Sequence, residues 1–151
     1  MSDRSATPHR SARRKARKYA LDVLFAADLR GIDPMAILAQ GLITSQAELR
    51  DFSARLVEAT TDHGDEIDAL VAAHLKPGWS LARMPRVDRC LARLALAEIL
   101  YEGTPLEVAV SEAVALAAEL STDESPRFLS GLLGAAGPAA SDGMRQAESE
   151  E

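Results

Sequence analysis

The stretch Ser11-Ala12-Arg13-Arg14-Lys15-Ala16-Arg17-Lys18-Tyr19-Ala20-Leu21-Asp22-Val23-Leu24-Phe25 decides how this chain is read. Arg10, Arg13, Arg14 and Arg17 fall at i, i+3, i+4 and i+7, so a helix gathers them into one stripe. From the next turn onward the same sector is filled by Leu21, Leu24 and Phe25. One side of one helix thus turns from cationic to apolar. The pattern predicts that the first two turns stand clear of the core while the rest packs into it. Positive charge near a helix N-terminus opposes the macrodipole, by about 0.3–1 kcal/mol per charge. Cations placed there against that preference point to a use other than stability, and a rigid row of guanidinium groups suits a polyanionic partner. A solvated helix start is the other reading of the same residues.

The rest of the composition bounds the possibilities. With 151 residues, 47% of them hydrophobic and only 4% aromatic, the chain can bury one core and suits a helical protein. The net charge of -6 conceals an asymmetry. Residues 1–30 hold eight Lys/Arg against three Asp/Glu, a net of +5; residues 31–151 hold nine against twenty, a net of -11. The acidic balance therefore does not argue against nucleic acid, because the local charge decides. The single cysteine, Cys90, excludes an internal disulfide and reads as a buried, inert thiol in a reducing compartment. No run approaches the roughly 18–20 apolar residues of a membrane span, and no apolar segment follows the N-terminal charges as in a signal peptide. The expectation is a cytoplasmic protein with no membrane contact.

Taken in order, residues 1–9 are small and polar and read as a disordered tail. The first helix runs from about Arg10 to Leu29 and stops at Gly31. Asp33-Pro34 reads as an N-cap followed by proline at the first helical position, opening a short helix that ends near Ile43. Ser45 and Glu48 form a capping box for a third helix with Leu49, Phe52, Leu56 and Ala59 inside. Gly64 marks a boundary, and Asp65, Glu66 and Asp68 suit the first turn of a fourth helix. Lys76-Pro77-Gly78 closes it, leaving Trp79 in a loop where it is expected to plug the gap between two helical layers. A central, largely buried helix follows from about Pro85 to Tyr101, then an alanine-rich one from Pro105 to Leu120. The last helix holds Phe128, Leu129, Leu132, Leu133 and Ala136. From Pro138 the chain is small, polar and acidic, and residues 138–151 read as a disordered tail. Alternating β-branched runs are missing. The fold predicted is all-α, with about seven helices and a single folded domain over 10–137.

Little in the chain suggests chemistry. His9, His63 and His74 have no partner at metal-ligand spacing, and neither a metal nor a cofactor is expected. Gly131, Gly134 and Gly137 lack the strand and the spacing of a phosphate loop and suit close packing or a helix end. No nucleophile, zinc or nucleotide motif occurs, and no enzyme is predicted. Arg86, Arg89 and Arg93, with Arg83 just ahead, share one face of the central helix. Either they are ion-paired, with Asp88 and Glu98 near enough to contribute, or they extend a phosphate track; spacing favours neither. Arg127-Phe128 sets a cation beside a ring, as in single-stranded RNA sites where stacking is worth about 1–3 kcal/mol per base. Phe128 reads equally well as a core residue.

Four segments in series resemble the NusB family of bacterial antitermination factors: Arg13-Arg14-Lys15-Ala16-Arg17 leading into Tyr19-Ala20-Leu21 and Leu24-Phe25; Val87-Asp88-Arg89-x-x-x-Arg93-Leu94-Ala95 with Glu98-Ile99-Leu100; Pro105-x-x-Val108-Ala109-Val110-Ser111-Glu112-Ala113-Val114; and Arg127-Phe128-Leu129-Ser130-Gly131-Leu132-Leu133. The resemblance covers about residues 10–137. Ser111 and Ser130 stand where the family usually has Asn, and Lys18 where it usually has Glu. The resemblance implies two packed helical sub-bundles that bind a short single-stranded boxA-type RNA jointly with NusE, the ribosomal protein S-ten. That complex joins RNA polymerase with further Nus factors and suppresses termination in ribosomal RNA operons. By position, Arg10, Arg13, Arg14, Lys15, Arg17 and Lys18 fall in the RNA-binding block, flanked by Arg89, Arg93, Arg127 and Phe128. Phe25, Asp88 and Glu124 fall where the RNA and NusE surfaces meet. Some members form homodimers that cover the arginine face. Two rival readings are the RNA-binding module of a ribosomal RNA cytosine methyltransferase and a helical scaffold for proteins alone.

Overall fold

The computed structural model describes the backbone of residues 6–41 and 47–150 and the side chains of 12–41 and 50–142. The helices are α1 (Ala6–Arg30), α2 (Pro34–Gly41), α3 (Ala47–Asp62), α4 (Gly64–His74), α5 (Arg86–Tyr101), α6 (Leu106–Leu120) and α7 (Ser125–Glu150), with a 3-10 turn at Leu81–Arg83. Among the described residues there is no strand. The Ser45–Glu48 capping box and the side chain of Arg10 lie outside the described residues.

Local chemistry sets the breaks. Gly31 adopts a left-handed φ of 69°, which lets its own N–H and that of Ile32 both return to the Ala27 carbonyl, at 2.8 and 3.1 Å, and end α1. Asp33 Oδ1 then accepts the Met35 N–H at 2.9 Å, capping α2 with Pro34 at its first position. Helices α1–α3 pack as one sub-bundle and α4–α7 as the other, with α5 against both. Leu56, Ile67, Leu91, Leu94, Leu96, Leu116, Leu129 and Leu133 are removed from water in one continuous core, each worth about 1.5–3 kcal/mol of apolar burial.

Two ends differ from the sequence reading. α1 begins at Ala6, four residues ahead of Arg10, and α7 continues through the stretch read as a tail. Pro138 deprives the Gly134 carbonyl of its donor, but both residues face solvent, where water can replace the bond. On the opposite side Ala136 and Ala140 are buried and hold the helix down. A Cβ on Gly137 would collide with the Leu106 side chain, so that glycine serves close packing of α7 on α6.

Candidate nucleic-acid interface

The cationic stripe of α1 divides in two when the helix docks. Ala16 and Ala20 are fully buried, and they draw Arg17 down with them to 3% exposure. Its guanidinium meets Glu98 of α5 through three bonds, Nε to Oε1 and Oε2 at 3.0 and 2.9 Å and Nη2 to Oε1 at 2.8 Å. Glu112 of α6 lies 3.9 Å from Nη1, and the Thr104 hydroxyl donates to Glu98 at 3.1 Å. Arg17 is therefore an internal cation, and the sequence reading of it as an open RNA contact is corrected. Placing it on the cationic stripe was right; the stripe's edge curls into the core one turn earlier than the pattern implied.

The other α1 cations stay at the surface. Arg13 is exposed and lies over the Phe52 ring, 4.7 Å from its centroid. Lys15 is exposed with no carboxylate partner among the described residues. Arg14 donates to Glu112 at 2.9 Å with half of its side chain in solvent, and Lys18 donates to Glu119 at 2.6 Å. Hydrogen bonding and charge from these carboxylates raise both basic groups' pKa above the ordinary range. The N-terminal half of α1 thus carries Arg13, Arg14, Lys15 and Lys18 as cations that are either open or tied only at the surface.

The second basic face is part-buried and ion-paired at Arg86, Arg89 and Arg93, with Arg83 exposed. Asp28, near the end of α1, accepts Arg86 Nη1 and Arg89 Nη2, each at 2.6 Å. Arg93 grips Asp68 of α4 at 2.7 and 2.9 Å and approaches Asp28 at 3.6 Å. Burial pushes the Asp28 carboxyl up, but the bonds and charges of Arg89 and Arg86 outweigh it and hold its pKa below the ordinary value. In the structure these arginines are ion-paired, Arg86 and Arg89 tying α5 to α1 across the sub-bundles and Arg93 tying α5 to α4. Asp88 and Glu98 do not supply the partners. Asp88 is buried and accepts Ser121 and Ser125 hydroxyls at 2.6 and 2.9 Å, so it is not a partner-facing residue. Cys90 is buried among these groups, and burial pushes its thiol up to about 11. Phe25 is half-buried against the core, whereas Glu124 is exposed.

A groove of about 750 Å³ opens between the end of α4 and the start of α7. His74, Lys76, Trp79, Glu124, Arg127 and Phe128 are among the residues lining it. Trp79 is 49% exposed, with its ring 5.7 Å from that of Phe128 and tilted by 36°. The interlayer plug expected of Trp79 is instead Met84, the buried side chain of the same connector. Arg127 is exposed beside Phe128, as the sequence pairing suggested. Among the described residues no three His, Cys, Asp or Glu side chains gather to hold a metal ion, and no helix is long and apolar enough to cross a membrane.

Fold and surface together define an all-helical binding protein with exposed cations on the N-terminal half of α1 and beside an aromatic groove. The chain belongs to the NusB family, whose profile matches residues 14–137. A Nocardioides sp. protein named transcription antitermination protein NusB is 50% identical over 125 residues, covering 82% of this chain and 92% of the relative. The solved structure of T. maritima NusB superposes with a TM-score of 0.77 at 31% identity, over 82% of this chain and 89% of that one. A structure of antitermination factors NusB and NusE in complex with dsRNA gives 0.74 at 26% identity, over 85% and 98%.

Proposed function

We propose that this protein binds a short single-stranded boxA-type RNA of ribosomal RNA operons jointly with NusE, within the RNA polymerase antitermination complex, and so promotes processive transcription. The observation that carries this reading is the division of the cations: Arg13 and Lys15 remain at the surface of α1 without a carboxylate partner among the described residues, while Arg17 pairs with the buried Glu98, and Arg89 and Arg93 of α5 with the part-buried Asp28 and Asp68. Neither of these two has a carboxylate partner among the described residues; Arg13 has only the face of Phe52 beneath it. The likeness to a solved complex of NusB and NusE with dsRNA supports NusE and RNA as the partners. In this reading Arg13 and Lys15, with Arg10 at the same end, meet phosphates directly. Arg14 and Lys18 exchange Glu112 and Glu119 for phosphate oxygens, and Arg127 and Phe128 take a further part of the strand. Arg17, Arg89 and Arg93 act as positioning residues that fix the surface. The activity is binding, and no residue is assigned a catalytic role.

The test is the anisotropy of labelled boxA-type RNA and of its scrambled version, with and without NusE, over a range of salt. Each single-strand phosphate neutralised contributes about -0.7 to the log–log slope, so Arg13→Ala with Lys15→Ala should flatten it by about 1.4. A slope unchanged in that double variant removes the α1 surface from the interface.

A further inference from the structure

We infer that the groove between α4 and α7 is a stacking subsite for one unpaired nucleobase of the bound strand, with Trp79 as its platform. This rests on the RNA reading above and assigns a site to a residue that reading does not use. A tryptophan half in water is an unusual way to spend the largest apolar side chain, unless its open face has an occupant. Its setting is rigid. The Trp79 backbone N–H returns to the Lys76 carbonyl at 3.0 Å, Gly78 supplies a φ of 88°, and Arg83 Nη1 clamps the Gly78 carbonyl at 2.6 Å. The backbone that carries the ring is thus fixed before any ligand arrives, and Phe128 packs against one side of the ring. Because it already touches Phe128 at 5.7 Å, a base cannot enter between the two rings without spreading them, and it stacks on the outer face of Trp79.

The surroundings favour a nucleotide over a peptide. Lys76 and Arg127 are exposed with no carboxylate partner among the described residues, and both border the groove, as phosphate contacts require. Asp123 and Glu124 on the same rim can accept only donors, which the amino edge of cytosine, adenine or guanine provides. A flat π face, a phosphate and an amino edge belong together in one ligand. Chain connectivity also links the groove to the α1 cations. Glu119, which reaches Lys18 of α1, ends α6, and the loop after it carries Asp123 and Glu124 into the groove.

Trp79 is the only tryptophan of the chain, so tryptophan emission, excited selectively over Tyr19 and Tyr101, reports this groove alone. Occupancy is read separately, from the anisotropy of end-labelled boxA-type RNA, while unlabelled strand is titrated against the full chain. Quenching of Trp79 should follow occupancy, and an abasic residue at one position of the strand should abolish the quench while binding persists. Trp79→Ala should weaken binding about 5- to 150-fold, the equivalent of one lost base stack, with Trp79→Phe retaining most of it. Binding by anisotropy with unchanged emission and unchanged affinity in Trp79→Ala overturns the subsite and leaves the RNA reading standing. Emission that responds only to NusE also overturns it, and reassigns the groove to protein. No anisotropy change with the native chain, with or without NusE, sinks the RNA reading itself and the subsite with it.

Discussion

Replacing Arg17 by alanine should unfold the protein at a much lower temperature, whereas replacing its neighbours on the same stripe should not. The substitution leaves Glu98, itself 2% exposed, facing the core with the Thr104 hydroxyl as its nearest side-chain donor. Breaking a buried ion pair from one side costs about 3–5 kcal/mol, because the surviving charge is stranded out of water. Set against a total stability of about 5–15 kcal/mol, that is roughly a fifth or more. For a domain of this length each kcal/mol moves the midpoint by about 2–4 °C, so Arg17→Ala should melt roughly 6–20 °C below the native chain. Arg13→Ala gives up only its contact with Phe52, about 0.5–1 kcal/mol, and Lys15→Ala should stay within about 0.5 kcal/mol. Circular dichroism melts of the three variants make the comparison. A double variant, Arg17→Met with Glu98→Leu, removes both charges together and should recover much of the loss. If Arg17→Ala melts within about 2 °C of the native chain, the buried pair is not what seats α1 on α5, and the division of the stripe argued above is wrong.

Two further outcomes follow from the ion pairs. Glu119→Gln releases Lys18 at the surface, so RNA affinity should rise and its salt slope should steepen by up to about 0.7; weaker or unchanged binding refutes competition between this carboxylate and phosphate. The Asp28 carboxyl has its folded pKa held below the ordinary 3.8 by Arg89 and Arg86, so its stabilisation is present above that value and lost as pH falls through the folded pKa. Asp28→Asn should therefore melt below the native chain at neutral pH, with the gap closing below about pH 4 as the native carboxyl protonates; a gap that does not change with pH refutes the assignment.

The elements themselves are legible in the order of residues. Gly31, Asp33-Pro34, Gly64 and the break ahead of Ser125 mark ends that the folded chain keeps, because each acts through the backbone of its own few residues. The continuation of α7 past Pro138 is not legible in the same way. Composition there argues against a helix, and the anchoring of Ala136 and Ala140 depends on neighbours the local sequence does not name. Glu98 holds an unread signal: a carboxylate in the apolar line of the central helix requires a buried cation, and a helix rich in arginine is at hand. Asp28 holds another, as an acid on α1 facing three arginines that have no partner assigned from spacing.

By itself, then, the sequence determined that the chain is helical, where its helices break, and that positive charge is concentrated on the opening turns of α1. Which of those charges remain available was decided only by tertiary structure. Periodicity assigns a residue to a face of its own helix, but Arg17 is neutralised by a glutamate 81 positions away and Arg89 by an aspartate 61 away. Such pairs form only when two helices are docked at a particular rotation and height, and those two quantities are fixed by the packing of both partners together.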